Sequence, residues 1–123
     1  MSSQEGRRSL RVAEIVRSEF ARAVQRRIDD PRLRSVMVAN VKVSDDLSMI
    51  DIGVRFTGLQ DAPEQQKLVK KLARALPRLT REIVPRLDLR RVPTLRLHYD
   101  AGEDRTRRVE ELLREIEAEA QDK

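Results

Sequence analysis

Apolar residues recur at every fourth position from Val12 through Val16, Phe20 and Val24 to Ile28, with Ala13 and Ala23 beside the row. That period places them on one face of a helix over residues 9–28, with Ser9 as its N-cap and the arginines around the remaining surface. Pro31 ends the helix, because the residue before a proline is pushed out of helical geometry. The period then drops to two. Met37, Ala39, Val41 and Val43 alternate with Val38, Asn40 and Lys42; after a turn at residues 44–48, Ile50, Ile52, Val54 and Phe56 alternate with Asp51, Gly53 and Arg55. Two strands are predicted, and the clean two-faced alternation of the second suits a sheet covered by helices on one side.

A loop follows, with Asp61 as the next N-cap and Pro63 early in its helix. From there Leu68, Leu72, Ala75, Leu76, Leu79, Ile83 and Leu87 hold helical spacing straight through Pro77. A proline inside one straight helix would cost about 3 kcal/mol. The spacing therefore predicts two helices meeting at a bend near Leu76, with Pro77 in the first turn of the second, where its missing N–H does little harm. The segment VPTLRLHYD reads as a third strand, with Leu95, Leu97 and Tyr99 on one face and Arg96 and His98 on the other. Val109, Leu112, Leu113 and Ile116 form the short stripe of a last helix, expected to pack only at its start and to fray from about Glu117. The result is a single α+β domain in the order helix, strand, strand, helix, bend, helix, strand, with a C-terminal helix appended. Residues 1–7 read as a flexible N-terminus, 8–116 as the domain and 117–123 as an acidic, fraying tail.

Charge changes the picture. The chain of 123 residues carries a formal charge of +5, but residues 67–96 alone hold ten basic side chains against Glu82 and Asp88. Residues 1–34 set nine arginines against five acids, whereas the last 23 residues hold five basic and eight acidic groups. Such focusing favours a polyanionic partner. No apolar run approaches bilayer length and the N-terminus lacks a signal-peptide core, so a cytoplasmic protein without a membrane partner is expected. With no cysteine and one histidine, neither a disulfide nor a protein-built metal site is expected, nor any cofactor.

Catalysis finds little support. His98 has no partner residue for nucleophilic chemistry and is read as a surface or interface histidine; Asp45 and Asp46 suit a hairpin turn for their local hydrogen bonds. No nucleophile motif or glycine-rich phosphate loop is present, and no small-molecule substrate is expected. The basic row is more informative. Lys67, Lys71, Arg74, Arg78 and Arg81 step by four, three, four and three, and no acidic residue lies between Lys67 and Arg81. Like charges at that spacing destabilise a free helix by a few tenths of a kcal/mol per pair, a cost better explained by an anionic partner than by an inert solvated face. The aromatic residues Phe20, Phe56 and Tyr99 all fall on inward registers, which leaves none to stack on bases. Recognition is expected through phosphates and shape.

The order of elements, with two helices meeting at a bend between the second and third strands, resembles a type II KH-like domain. Three stretches carry a closer resemblance: RVAEIVRSEFARAVQRRIDDPRL, VANVKVSDDLSMIDIGVRF and VPTLRLHYD. Within them Arg11-Val12-Ala13-Glu14, Asp30-Pro31-Arg32-Leu33, Ser44 with Asp46-Leu47, and Val92-Pro93 leading to Tyr99-Asp100 are the most specific pieces. In this order and spacing, over roughly residues 7–116, the chain resembles the ribosome-binding factor A family. The resemblance implies a non-enzymatic, monomeric ribosome-biogenesis factor that binds the immature small ribosomal subunit and its ribosomal RNA and assists late RNA maturation. It also implies an interrupted helix carrying Ala-x-Gly where other KH domains have Gly-x-x-Gly. The matching residues are Ala75-Leu76-Pro77, so a proline that removes an N–H and fixes the bend stands at the glycine position. The expected RNA contacts are Lys70, Lys71, Arg74, Arg78 and Arg81, with Arg90 and Arg91 before the last strand and Arg8 and Arg11 on the first helix. The competing readings are a module whose basic face docks on an acidic protein and, far behind, a small hydrolase using His98.

Overall fold

The computed structural model describes residues 3–58, 61–101 and 113–119. Helix α1 spans Ser3–Arg27 and buries the predicted row Val12, Val16, Phe20, Val24 and Ile28 together with Ala23. It starts earlier than the apolar row suggested, so that Ser9 lies inside it and not at its N-terminus: an apolar period marks only the buried part of a helix. Asp30 then caps a single-turn helix, α2 (Pro31–Arg34), its carboxylate accepting from the Arg32 amide. Leu33 from that turn is buried.

Strands β1 (Val36–Val43), β2 (Met49–Phe56) and β3 (Thr94–Tyr99) form one sheet in that order, with β1 antiparallel and β3 parallel to the central β2. β1 departs from the simple alternation. Val38 pairs with Val54 and Asn40 with Gly53, leaving Ala39 as an extra residue in a β-bulge. The bulge switches the inward parity, so Val36 and Val38 pack on the core before it and Val41 and Val43 after it. Met37, which the alternation groups with Val41 and Val43, is exposed. A strict period of two cannot represent an inserted residue, which is why Met37 and Val41 share a phase in the sequence but not a face in the sheet. Arg17 of α1 donates to the carbonyls of Val38 and Ala39 across the bulge.

Helix α3 (Ala62–Arg74) follows, with Asp61 at the N-cap position but without a side-chain capping bond. Ala75 separates it from α4 (Leu76–Ile83), and a 3-10 turn, Val84–Leu87, completes the segment. Asp88, in left-handed geometry at φ 52°, redirects the chain toward β3. α1 packs on β1 and α4, and α3 packs on β3 and β2. The helices thus cover one face of the sheet over a core of Phe20, Phe56, Ile50, Ile52, Leu72, Leu79 and Ile83, each fully buried and worth about 1.5–3 kcal/mol in transfer free energy. Gln65 closes the end of β2. Its side chain both accepts from the Phe56 amide and donates to the Phe56 carbonyl, each at 2.8 Å. Residues 113–119 are helical through Glu117, and Leu113 and Ile116 are exposed there instead of packed. Val109 and Leu112, the rest of that expected stripe, lie outside the described residues.

Candidate nucleic-acid interface

The bend is built from the backbone. Ala75 ends α3 by donating to the Leu72 carbonyl at 2.9 Å, and its own carbonyl receives the amides of Arg78 and Leu79 at 3.1 and 3.2 Å, which starts α4. Thr80 adds a hydroxyl donation to the Leu76 carbonyl at 2.7 Å. Pro77 stands in the first turn of α4, where a helix has no intrahelical partner for an N–H. The proline therefore fixes φ at a position that asks for no donor. Ala75 is buried, Leu76 half-buried and Pro77 exposed. The kink motif presents its proline to solvent and its alanine to the core.

Around this bend the structure brings together Lys71, Arg74 and Arg78, which line a groove of about 310 Å³ with Arg27 and Asp30. A neighbouring groove is lined by Arg27, Arg78, Arg81 and Glu82. The arrangement is an arginine-rich corner where the end of α1 meets the bent pair. Its charges are not all free. Lys71 is tied to Asp30 at 2.8 Å, and that hydrogen bond, with a second from the Arg32 amide, holds the Asp30 carboxyl below the usual carboxylate range. Glu82 receives both Arg27 and Arg26, which likewise lowers its pKa. Arg74, Arg78 and Arg81 have no ion-pair partner among the described residues and are exposed. The continuous ridge expected along the helices is therefore weaker as a source of field at Lys71, which Asp30 counters; beyond its end, Arg86 is paired with Glu19 at 3.2 Å.

The remaining predicted residues lie elsewhere. Arg8, Arg90 and Arg91 meet at the other end of α1, beside the β1–β2 turn. Arg11 is exposed on α1, and Lys70 is exposed on α3 but lines neither groove of the corner. In the turn itself, Asp46 accepts from the Ser44 hydroxyl, the Ser48 hydroxyl and the Ser48 amide. These bonds, led by that of the Ser48 side chain, lower its pKa to about 2. Sequence reasoning missed Arg27. It was one of nine arginines near the N-terminus, and only the packing of α1 on α4 distinguishes it from the others.

His98 is exposed on the open face of the sheet, its Nε2 near Gly53 and the side chains of Asn40 and Asp100. Among the described residues no group of His, Cys, Asp or Glu is placed to hold a metal ion, and no helix is long and apolar enough to cross a membrane.

A family model described as ribosome-binding factor A matches residues 8–113. A ribosome-binding factor A from Sorangium cellulosum (strain So ce56) is 43% identical over 111 residues, covering 89% of each chain. The crystal structure of ribosome-binding factor A from Thermus thermophilus superposes with a TM-score of 0.62 over 74% of this chain and 94% of that one. At 24% identity that likeness speaks to the fold, which is the type II KH-like arrangement. A homology model of the Thermus thermophilus ribosome-binding factor A, fitted into the cryo-EM map of a complex of 30S with ribosome-binding factor A, is 26% identical with a TM-score of 0.51, covering 72% of this chain and 89% of that one.

Proposed function

This chain belongs to the ribosome-binding factor A family, and on that premise we propose that it binds the immature small ribosomal subunit through its ribosomal RNA and promotes late maturation of that RNA. The protein works by binding, not by catalysing a reaction, and it acts as a monomer in the cytoplasm. The observation that carries the reading is the corner at the bend, where Arg74, Arg78 and Arg81 stand exposed without an ion-pair partner among the described residues. Arginine there suits phosphate oxygens, which it meets as a planar fork of donors. With Phe20 and Phe56 fully buried and Tyr99 packed on the core, grip falls to phosphate and shape. Binding is accordingly expected to weaken steeply as salt is raised. The relative placed in a 30S map supports the same partner for this chain.

The maturation role is tested in cells. Removal of the gene is expected to accumulate immature small subunits carrying unprocessed ribosomal RNA on a sucrose gradient; an unchanged particle profile and normal RNA ends contradict it. The alternative, docking on an acidic protein, predicts a complex that survives nuclease treatment of the extract, whereas the RNA reading predicts its loss.

A further inference from the structure

The predicted RNA contacts fall at two ends of the molecule, and we infer that the end away from the bend is a second phosphate-binding site, so that one molecule holds two RNA segments at once. This rests on the reading of the protein as an RNA binder and adds to it a bridging role. Arg8 comes from the first turns of α1, whereas Arg90 and Arg91 come from the segment between the 3-10 turn and β3; together they line a cavity of about 310 Å³. None of the three has an ion-pair partner among the described residues. The one carboxylate lining the cavity, Asp46, accepts from Ser44 and Ser48 through Oδ1 and stays ionised, so three arginines against it leave the lining net +2.

Distance separates this site from the corner at the bend. Arg8 and Arg27 are nineteen residues apart on α1, about 28 Å at the helical rise of 1.5 Å per residue. The Debye length at physiological salt is about 8 Å, so the two ends act as independent sources of field. The positive charge on the seam between them is partly offset, two glutamates standing against four arginines. Along it Glu19 holds Arg86 and Arg22, and Glu82 holds Arg26 and Arg27. A single duplex laid along that seam would meet arginines already engaged by Glu19 and Glu82 and gain less there than at the two ends. Two separate segments, each meeting one arginine cluster, use the charge that is available. A protein partner is the weaker fit for the second site. Such interfaces centre on buried aromatic anchors, and the rim here offers only Val92, 74% exposed, as a bare apolar side chain.

The test uses the full chain and two unrelated RNA hairpins, one immobilised and one fluorescent, each too short to span both sites. Capture of the labelled hairpin reads bridging, anisotropy with one hairpin reads simple binding, and light scattering reads protein mass. Wild type is expected to capture the labelled hairpin as a monomer. Arg90→Glu/Arg91→Glu is expected to lose capture by about tenfold or more while single-hairpin affinity falls only about twofold, the share of one of two sites. Arg74→Glu/Arg78→Glu should lose capture as well. Undiminished capture by the Arg90/Arg91 variant, no capture by a wild type that binds one hairpin, or capture only by a protein dimer each overturns the inference and leaves RNA binding standing. Failure of wild type to bind either hairpin overturns the RNA reading itself.

Discussion

Gly53 shows how far a single residue can constrain the sheet. It sits in the central strand, and a Cβ added there would lie 3.0 Å from Asp100 Oδ2 and His98 Nε2 and 3.1 Å from Asn40 Oδ1. Asn40 donates to Asp100 across this gap, so the two short side chains cannot both withdraw without breaking their bond. A hydrogen bond to a charged group contributes about 1.5–3 kcal/mol, and alanine would recover only about 0.5–1 kcal/mol of backbone entropy. Gly53→Ala is therefore expected to lower stability by about 1 kcal/mol, read as a lower urea midpoint; a raised midpoint would show that the cluster yields freely. Glycine here was visible in the sequence only as a polar-face position in a strand. Its reason is three side chains from different segments, which no local pattern contains.

At the scale of elements, the bent helix pair was the most legible feature. Seven apolar residues kept helical phase across Pro77, and two helices sharing one buried face is what that phase requires. The bulge in β1 was not legible, because Ala39 is apolar and its insertion leaves an alternation that looks intact. α2 was also missed: a four-residue turn is too short to show a period, although the Asp30-Pro31 pair is a helix-start signal in retrospect. Since the bend is held by Ala75 and not by a donor on residue 77, Pro77→Gly should leave the circular dichroism spectrum and small-subunit binding unchanged. Its cost is a loss of about 0.4–1 kcal/mol through the freer unfolded chain. A larger loss, or lost binding, would assign the proline a role beyond setting φ.

For the whole molecule, the sequence identified which residues are basic but not which are free. Lys71 and Arg86 are spoken for by Asp30 and Glu19, partners 41 and 67 positions away, so a count of charges along the chain overstated the free charge of residues 67–96. Arg27, which lines both grooves of the corner while paired with Glu82, was passed over because only the packing of α1 on α4 places it there. Asp30 thus acts as an internal competitor for the corner at the bend. Asn caps a helix about as well as Asp, so Asp30→Asn should keep α2 while releasing Lys71. RNA affinity at low salt should rise, and the log–log salt dependence should steepen by about 0.7–0.9, the increment for one more phosphate contact. An unaltered slope in a salt titration would mean that Lys71 points away from the RNA even when free. The central claim is that arginines at the bend grip the small subunit. Its most direct test is co-sedimentation of Arg74→Glu/Arg78→Glu with purified small subunits, alongside a urea midpoint to certify the fold. Loss of the protein from the subunit peak with an unchanged midpoint is the predicted result, and undiminished co-sedimentation would contradict it.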